Sequence, residues 1–142
     1  MRRLLIGLLC VSTLISCSKD PSEALAHING YWSITEVTKA DGNKMNYQFN
    51  ETIDYISIND SLKGFRKKLK PSFNNQYSTS QDAESVTVKL ENDSLNLYYS
   101  TPYNSWKETV LQADEKSLIV INQDGITYRY NRHESLKLDL DE

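Results

Sequence analysis

Residues 85–100 read SVTVKLENDSLNLYYS, and the fold follows from how this stretch divides. Val86, Val88 and Leu90 share one face of an extended chain, while Thr87 and Lys89 take the other. Leu95, Leu97 and Tyr99 repeat the alternation after a break at Glu91–Ser94. Asn92 and Asp93 in the break tolerate left-handed backbone angles and bond to their own backbone, which predicts a tight turn. The stretch is therefore expected to be a β-hairpin with one apolar face.

Working outward, KSLIVINQDGITYRYNR (116–132) predicts a second hairpin, with Gly125 of the QDG turn accepting positive φ. On its second strand Ile126, Tyr128, Tyr130 and Arg132 point one way, and Thr127, Arg129 and Asn131 the other. Alternation predicts further strands near 31–38, 52–58, 64–70 and 106–112. This makes about eight strands, with the longest connections at 39–51 and 71–84. Antiparallel strands in sequence order with one apolar face predict an all-β fold, a single antiparallel up-and-down β-barrel, because closing the sheet removes its exposed edges.

At the start of the first strand, Gly30-Tyr31-Trp32 is similar to the G-x-W signature of lipocalins. In that family the tryptophan closes the base of the barrel, and an arginine near the end of the last strand packs over its ring. The resemblance covers most of 28–132 and implies that Gly30, Trp32 and Arg132 form a barrel-base signature. Arg129, one step out of phase, is the alternative to Arg132. Short strands and the lack of a disulfide distinguish this chain from larger lipocalins.

The chain opens with Arg2 and Arg3 and then the apolar run LLIGLLCVSTLI, too short to span a bilayer comfortably. Leu14, Ile15 and Ser16 before Cys17 resemble the lipobox of bacterial lipoproteins. The resemblance implies cleavage before Cys17 and a lipid on its sulfur. Residues 1–16 are then a lipoprotein signal peptide, 17–28 a lipid-anchored tether and 29–142 the lipocalin-like barrel. Pro21 followed by SEALAHI could instead open a short helix within the tether. Lys19 and Asp20 resemble the surface-export signals of Bacteroidota lipoproteins, and the whole resembles the small lipocalin-like lipoproteins of that phylum. The implied location is the outer membrane, on its periplasmic face or at the cell surface. Cys10 would leave with the signal, so the mature chain holds no thiol pair and its stability must come from a packed core.

Cleavage leaves 126 of the 142 residues, a single domain, and moves the formal net charge from −3 to −5. An acidic body argues against nucleic acid as a partner. His27 and His133 have no cysteine to join them, which argues against a metal site. No catalytic motif occurs, and Glu51/Asp54 and Asp139/Asp141 have the character of solvated pairs, so neither an enzyme nor a cofactor is expected.

Two clusters remain. GFRKKLKPSF (64–73) alternates Phe65, Lys67 and Leu69 with Arg66, Lys68 and Lys70, so the second set forms either a solvated stripe or an anion-docking stripe. YYSTPYNSWKE (98–108) gathers Tyr98, Tyr99, Tyr103 and Trp106, as a sugar-stacking rim or with Tyr99 and Trp106 in the core. The tail ESLKLDLDE alternates Leu136, Leu138 and Leu140 with charges, and either adds a strand or frays.

The inward set becomes Phe65, Lys67, Leu97, Tyr99, Tyr128 and Tyr130. If the barrel is hollow, this set suits a small apolar or amphipathic ligand with an acidic head, such as a fatty acid, met by Lys67. If the barrel is filled, its loops would serve an envelope protein partner instead. The anchor is independently testable. Cys17→Ala is expected to release a folded protein from membranes, and the parent chain is expected to incorporate labelled palmitate.

Overall fold

The computed structural model describes residues 20–72 and 77–134. Its elements are α1 (Pro21–Leu25), β1 (Gly30–Thr38), β2 (Lys44–Asn46), β3 (Ile53–Ile58), β4 (Lys63–Pro71), β5 (Tyr77–Glu91), β6 (Ser94–Ser100), β7 (Ser105–Ala113), β8 (Ser117–Asn122) and β9 (Thr127–Arg132). Neighbouring strands pair antiparallel in the order β2-β1-β3-β4-β5-β6-β7-β8-β9, and β1 also pairs with β9. That last pairing closes eight strands into the expected up-and-down barrel. The short β2 lies outside the closure, on the edge of β1.

Turn chemistry sets the strand ends as the sequence suggests. Asn92 and Asp93 have φ of 49° and 60°, the left-handed pair of a two-residue hairpin. Gly125 has φ of 75°, and the Asn122 side chain accepts from the amides of Asp124 and Ile126. Two connections are more ordered than their sequences indicated. The 39–51 stretch contains β2, whose Met45 lies opposite Val37. The 71–84 stretch is mostly strand, since β5 begins at Tyr77 and pairs with β4 across a register shift. The polar run from Ser78 to Glu84 hides this strand from an alternation test, because neither face is apolar.

The tether boundary at residue 28 also has structure within it. Asp20 caps α1 by accepting from the Ser22 amide at 2.9 Å, and Pro21 occupies the first turn, where its missing N–H costs nothing. Ala24 and Leu25 then pack against the barrel core. Cys10, Cys17 and the tail from residue 135 lie outside the described residues. Among the described residues no helix is long and apolar enough to cross a membrane.

The base of the barrel is built on Trp32, which is fully buried. Its indole N–H donates to the Ile28 carbonyl at 2.9 Å, so the ring's polar atom is satisfied inside the core. The Arg132 guanidinium lies 4.1 Å from the ring centroid. From there it donates to the carbonyls of Asn29, His27 and Glu115, at 2.9, 2.9 and 2.7 Å. One side chain thus joins the lead-in to β1, the end of β9 and the β7–β8 turn. Gly30 makes room for it, because a Cβ there would stand 2.3 Å from the guanidinium, and its φ of 134° disfavours any side chain.

With Trp32 in the lower barrel pack Ile56, Val86, Val88, Leu95, Leu97 and Leu118, all nearly inaccessible. Truncating a buried tryptophan typically costs about 3–5 kcal/mol, a large share of a small domain's stability. Trp32→Ala is therefore expected to unfold or nearly unfold the domain, and Arg132→Ala to lower the thermal midpoint by less. An unchanged midpoint for Trp32→Ala would refute the role of the base.

Candidate functional site

The apolar filling stops halfway up. At mid-height the inward positions of three strands carry charges, namely Asp54 on β3, Arg66 and Lys68 on β4, and Glu108 on β7. Each is in phase with residues that face the core. Asp54 alternates with Ile56 and Ile58, and Glu108 with Val110, all of them buried. Register places Arg66 opposite Ile56 and Lys68 opposite Asp54.

Buried charges require partners, and Asp54, Arg66 and Glu108 have them, while Lys68 is more than half exposed. Arg66 donates through Nε to Glu84 at 2.5 Å and through Nη1 to Glu108 at 3.4 Å. Its guanidinium also lies 4.1 Å from the Tyr99 ring centroid, and Tyr99 stacks on Trp106 at 5.2 Å. Lys68 reaches Asp54 at 2.8 Å. Burial pushes the Glu108 carboxyl above its ordinary value, opposed by the Arg66 charge and by hydrogen bonds from Trp106 and Tyr99. Among the described residues no buried side-chain polar atom lacks a hydrogen-bond partner.

This charged layer, with Trp32 and Ile34 beside it, is the floor of a cavity of about 660 Å³ that opens at the end of the barrel opposite the Arg132 contacts. Tyr128, Tyr130 and Trp106 rise from the floor as aromatic walls. Asn104 of the β6–β7 turn and Asn122 and Asp124 of the β8–β9 turn line the mouth. The remaining wall is the segment from Tyr47 to Thr52, where strand pairing is interrupted. β1 pairs with β3 only from Gly30 to Trp32 and with β2 only from Glu36 to Thr38. Between them the Tyr47 amide donates to Thr35 O at 2.9 Å, and the Asn50 side chain donates to Ile34 O at 2.7 Å. Phe49 stands at the mouth with 94% of its surface exposed.

A family model described as the lipocalin-like domain matches residues 28–120, well over half of the chain. The chain belongs to the lipocalin-like domain family. A solved lipocalin-like protein from Bacteroides uniformis is similar to it with a TM-score of 0.48 and 9% identity, over 75% of this chain and 99% of that one. No curated protein matches.

Within this lipocalin-like barrel the sequence-derived site residues divide. Tyr128 and Tyr130 line the cavity. Leu97 and Tyr99 are buried in the core, with Tyr99 under Arg66. Phe65 and Lys67 are not brought to the others, and the face assigned to them is corrected. They pair with Ser57 and Tyr55 on the outer surface, where Phe65 packs edge-on to Tyr55 at 5.8 Å and Tyr55 stacks on Tyr31 at 4.7 Å. The Lys67 ammonium sits 5.3 Å from the Phe65 ring. Arg66 and Lys68, assigned by alternation to a solvent stripe, face inward instead.

The reversal has a physical reason. Alternation sends the apolar member of a pair inward, but outer aromatics cover Phe65, and inner carboxylates compensate Arg66 and Lys68. The signal was present across strands, in acids lying in phase with isoleucine and valine, which call for cations opposite them. Of the second aromatic cluster, Tyr99 and Trp106 are interior, Tyr98 donates to Glu91 at 2.6 Å and Tyr103 is 96% exposed. His133 meets Ser33 Oγ through Nδ1 at 3.1 Å, and no metal-holding group of three His, Cys, Asp or Glu occurs among the described residues.

Burial, opposed by the Arg66 charge, holds the Tyr99 and Tyr130 phenols well above the ordinary value of 10.0. An unfolded chain releases those protons near the ordinary value and the folded one does not. Their contribution to stability is thus full below pH 10 and is lost as pH rises beyond it. An alkaline titration of the nine tyrosines by tyrosinate absorbance is expected to show two that ionise only as the circular dichroism of the barrel disappears. A single midpoint near 10 in a folded barrel would contradict this.

Proposed function

We propose that this protein is a lipid-anchored binding module of the bacterial envelope that holds a small amphipathic molecule in the open end of its barrel. The observation that carries the binding role is the cavity. Its volume falls within the range of about 300–1,000 Å³ of small-molecule sites, and its mixed aromatic and hydrogen-bonding walls suit a ligand with an apolar body and a polar group. The anchor rests on Leu14 to Cys17 and the outer-membrane location on the resemblance to Bacteroidota lipoproteins. The chemistry proposed is reversible binding, without catalysis or a cofactor.

The fatty acid once favoured by Lys67 loses its reason, since Lys67 lies outside the cavity and both inward cations already meet carboxylates. A protein-docking role for the open-end loops has support in Phe49 and Tyr103, two almost fully exposed aromatics in the connections at that end. The binding reading ranks first because Phe49 also borders the cavity. Native mass spectrometry of the protein purified from its own envelope is expected to show a one-to-one adduct that solvent extraction releases as a small molecule. An adduct-free protein with no saturable ligand in a broad small-molecule screen would overturn the proposal and favour docking by the loops.

A further inference from the structure

Resting on that reading of the cavity, we infer that its ligand is an organic cation, a protonated amine carried on an apolar body. Among the described residues four carboxylates line the cavity, Glu51, Asp54, Glu108 and Asp124, against two cations, Arg66 and Lys68. Both cations already meet carboxylates. Arg66 is shared between Glu108 and a further acid, Glu84, which is not among the lining residues, so this cluster holds two acids against one cation. Lys68 is matched one-to-one by Asp54. At the mouth, Glu51 and Asp124 form no ion pair among the described residues.

The phenol of Tyr128, on the cavity wall, responds to this imbalance. Burial raises its pKa first, Glu108 raises it further and more strongly than Arg66 lowers it, and Asp124 adds to Glu108. At Tyr130 the carboxylate of Asp54 likewise outweighs Arg66. With four carboxylates against two cations in its lining, the cavity favours positive charge. The walls favour it too, because aromatic residues such as Tyr128 and Tyr47 attract cations through their π-electrons while burying an apolar body. An anionic ligand would enter against the rim acids and find Arg66 already engaged.

The test is calorimetric titration of the purified full-length protein at neutral pH with two matched probe sets. These are hexylamine, hexanol and hexanoate, and tryptamine, tryptophol and indole-3-acetate. In the set whose body fits, the amine is expected to bind about ten-fold tighter than the carboxylate, with the alcohol between them and the margin shrinking as salt is added. Glu51→Gln combined with Asp124→Asn, both at exposed turns, is expected to narrow the margin several-fold, with amine binding losing more than alcohol binding. Glu108→Gln, nearly isosteric, is expected to do the same from the floor. A carboxylate that binds as tightly as its amine overturns the cation assignment and leaves the small-ligand role standing. Absence of saturable binding by every probe overturns the cation assignment, and the native adduct and broad screen then decide the small-ligand role separately.

Discussion

The contact of Arg132 with Trp32 is the constraint on which the other elements depend. It joins the first strand to the last across most of the chain, and the entropy of closing so long a loop must be met by a contact of high quality. The guanidinium supplies one by stacking on the indole and donating to carbonyls that the sheet leaves unpaired. Gly30 follows from this placement, since no side chain fits beneath the guanidinium. So does the position of α1, whose exit at His27 is held by the same group. With the base sealed, the apolar residues of the lower barrel pack on a solid floor, and the upper barrel is free to be something other than core.

The upper barrel is indeed unlike a core. Burying Arg66 with Glu84 and Glu108 incurs a desolvation cost that the ion pairs roughly offset, and apolar side chains of similar volume would stabilise the fold as well or better. Packing therefore does not explain these residues. They hold a charged surface open where a taller stack of leucines would close it. The aromatic side chains connect the two halves. Tyr99 is core below and a platform for Arg66 above, and Tyr130 belongs to both the packed cluster and the cavity wall.

Most of the fold was legible because it is local. Alternation in 85–100 and 116–132, with Asn92, Asp93 and Gly125 at the turns, specified hairpins whose repetition leaves closure as the natural end. The base residues were legible through their resemblance to a known signature. The cavity was not, because β4 defeats a rule that considers one strand at a time. Phe65 faces outward since Tyr55, itself stacked on Tyr31, covers it, and Arg66 faces inward since Glu84 and Glu108 await it. Both facts depend on strand register, which single-strand periodicity does not contain. β5 was truncated for a related reason, since its polar half is held by pairing with β4 and not by an apolar face.

The interrupted pairing between β1 and β3 divides the molecule's labour. Elsewhere among the described strands of the barrel, most side chains sit on a strand paired with two neighbours. From Tyr47 to Thr52 the wall rests on one backbone bond and the Asn50 amide. This panel can lengthen, shorten or change composition without disturbing the ladder that keeps the barrel closed. Barrels of this architecture could therefore acquire new ligand preferences by exchanging one short panel, with fold stability and molecular selectivity evolving on separate parts of the chain.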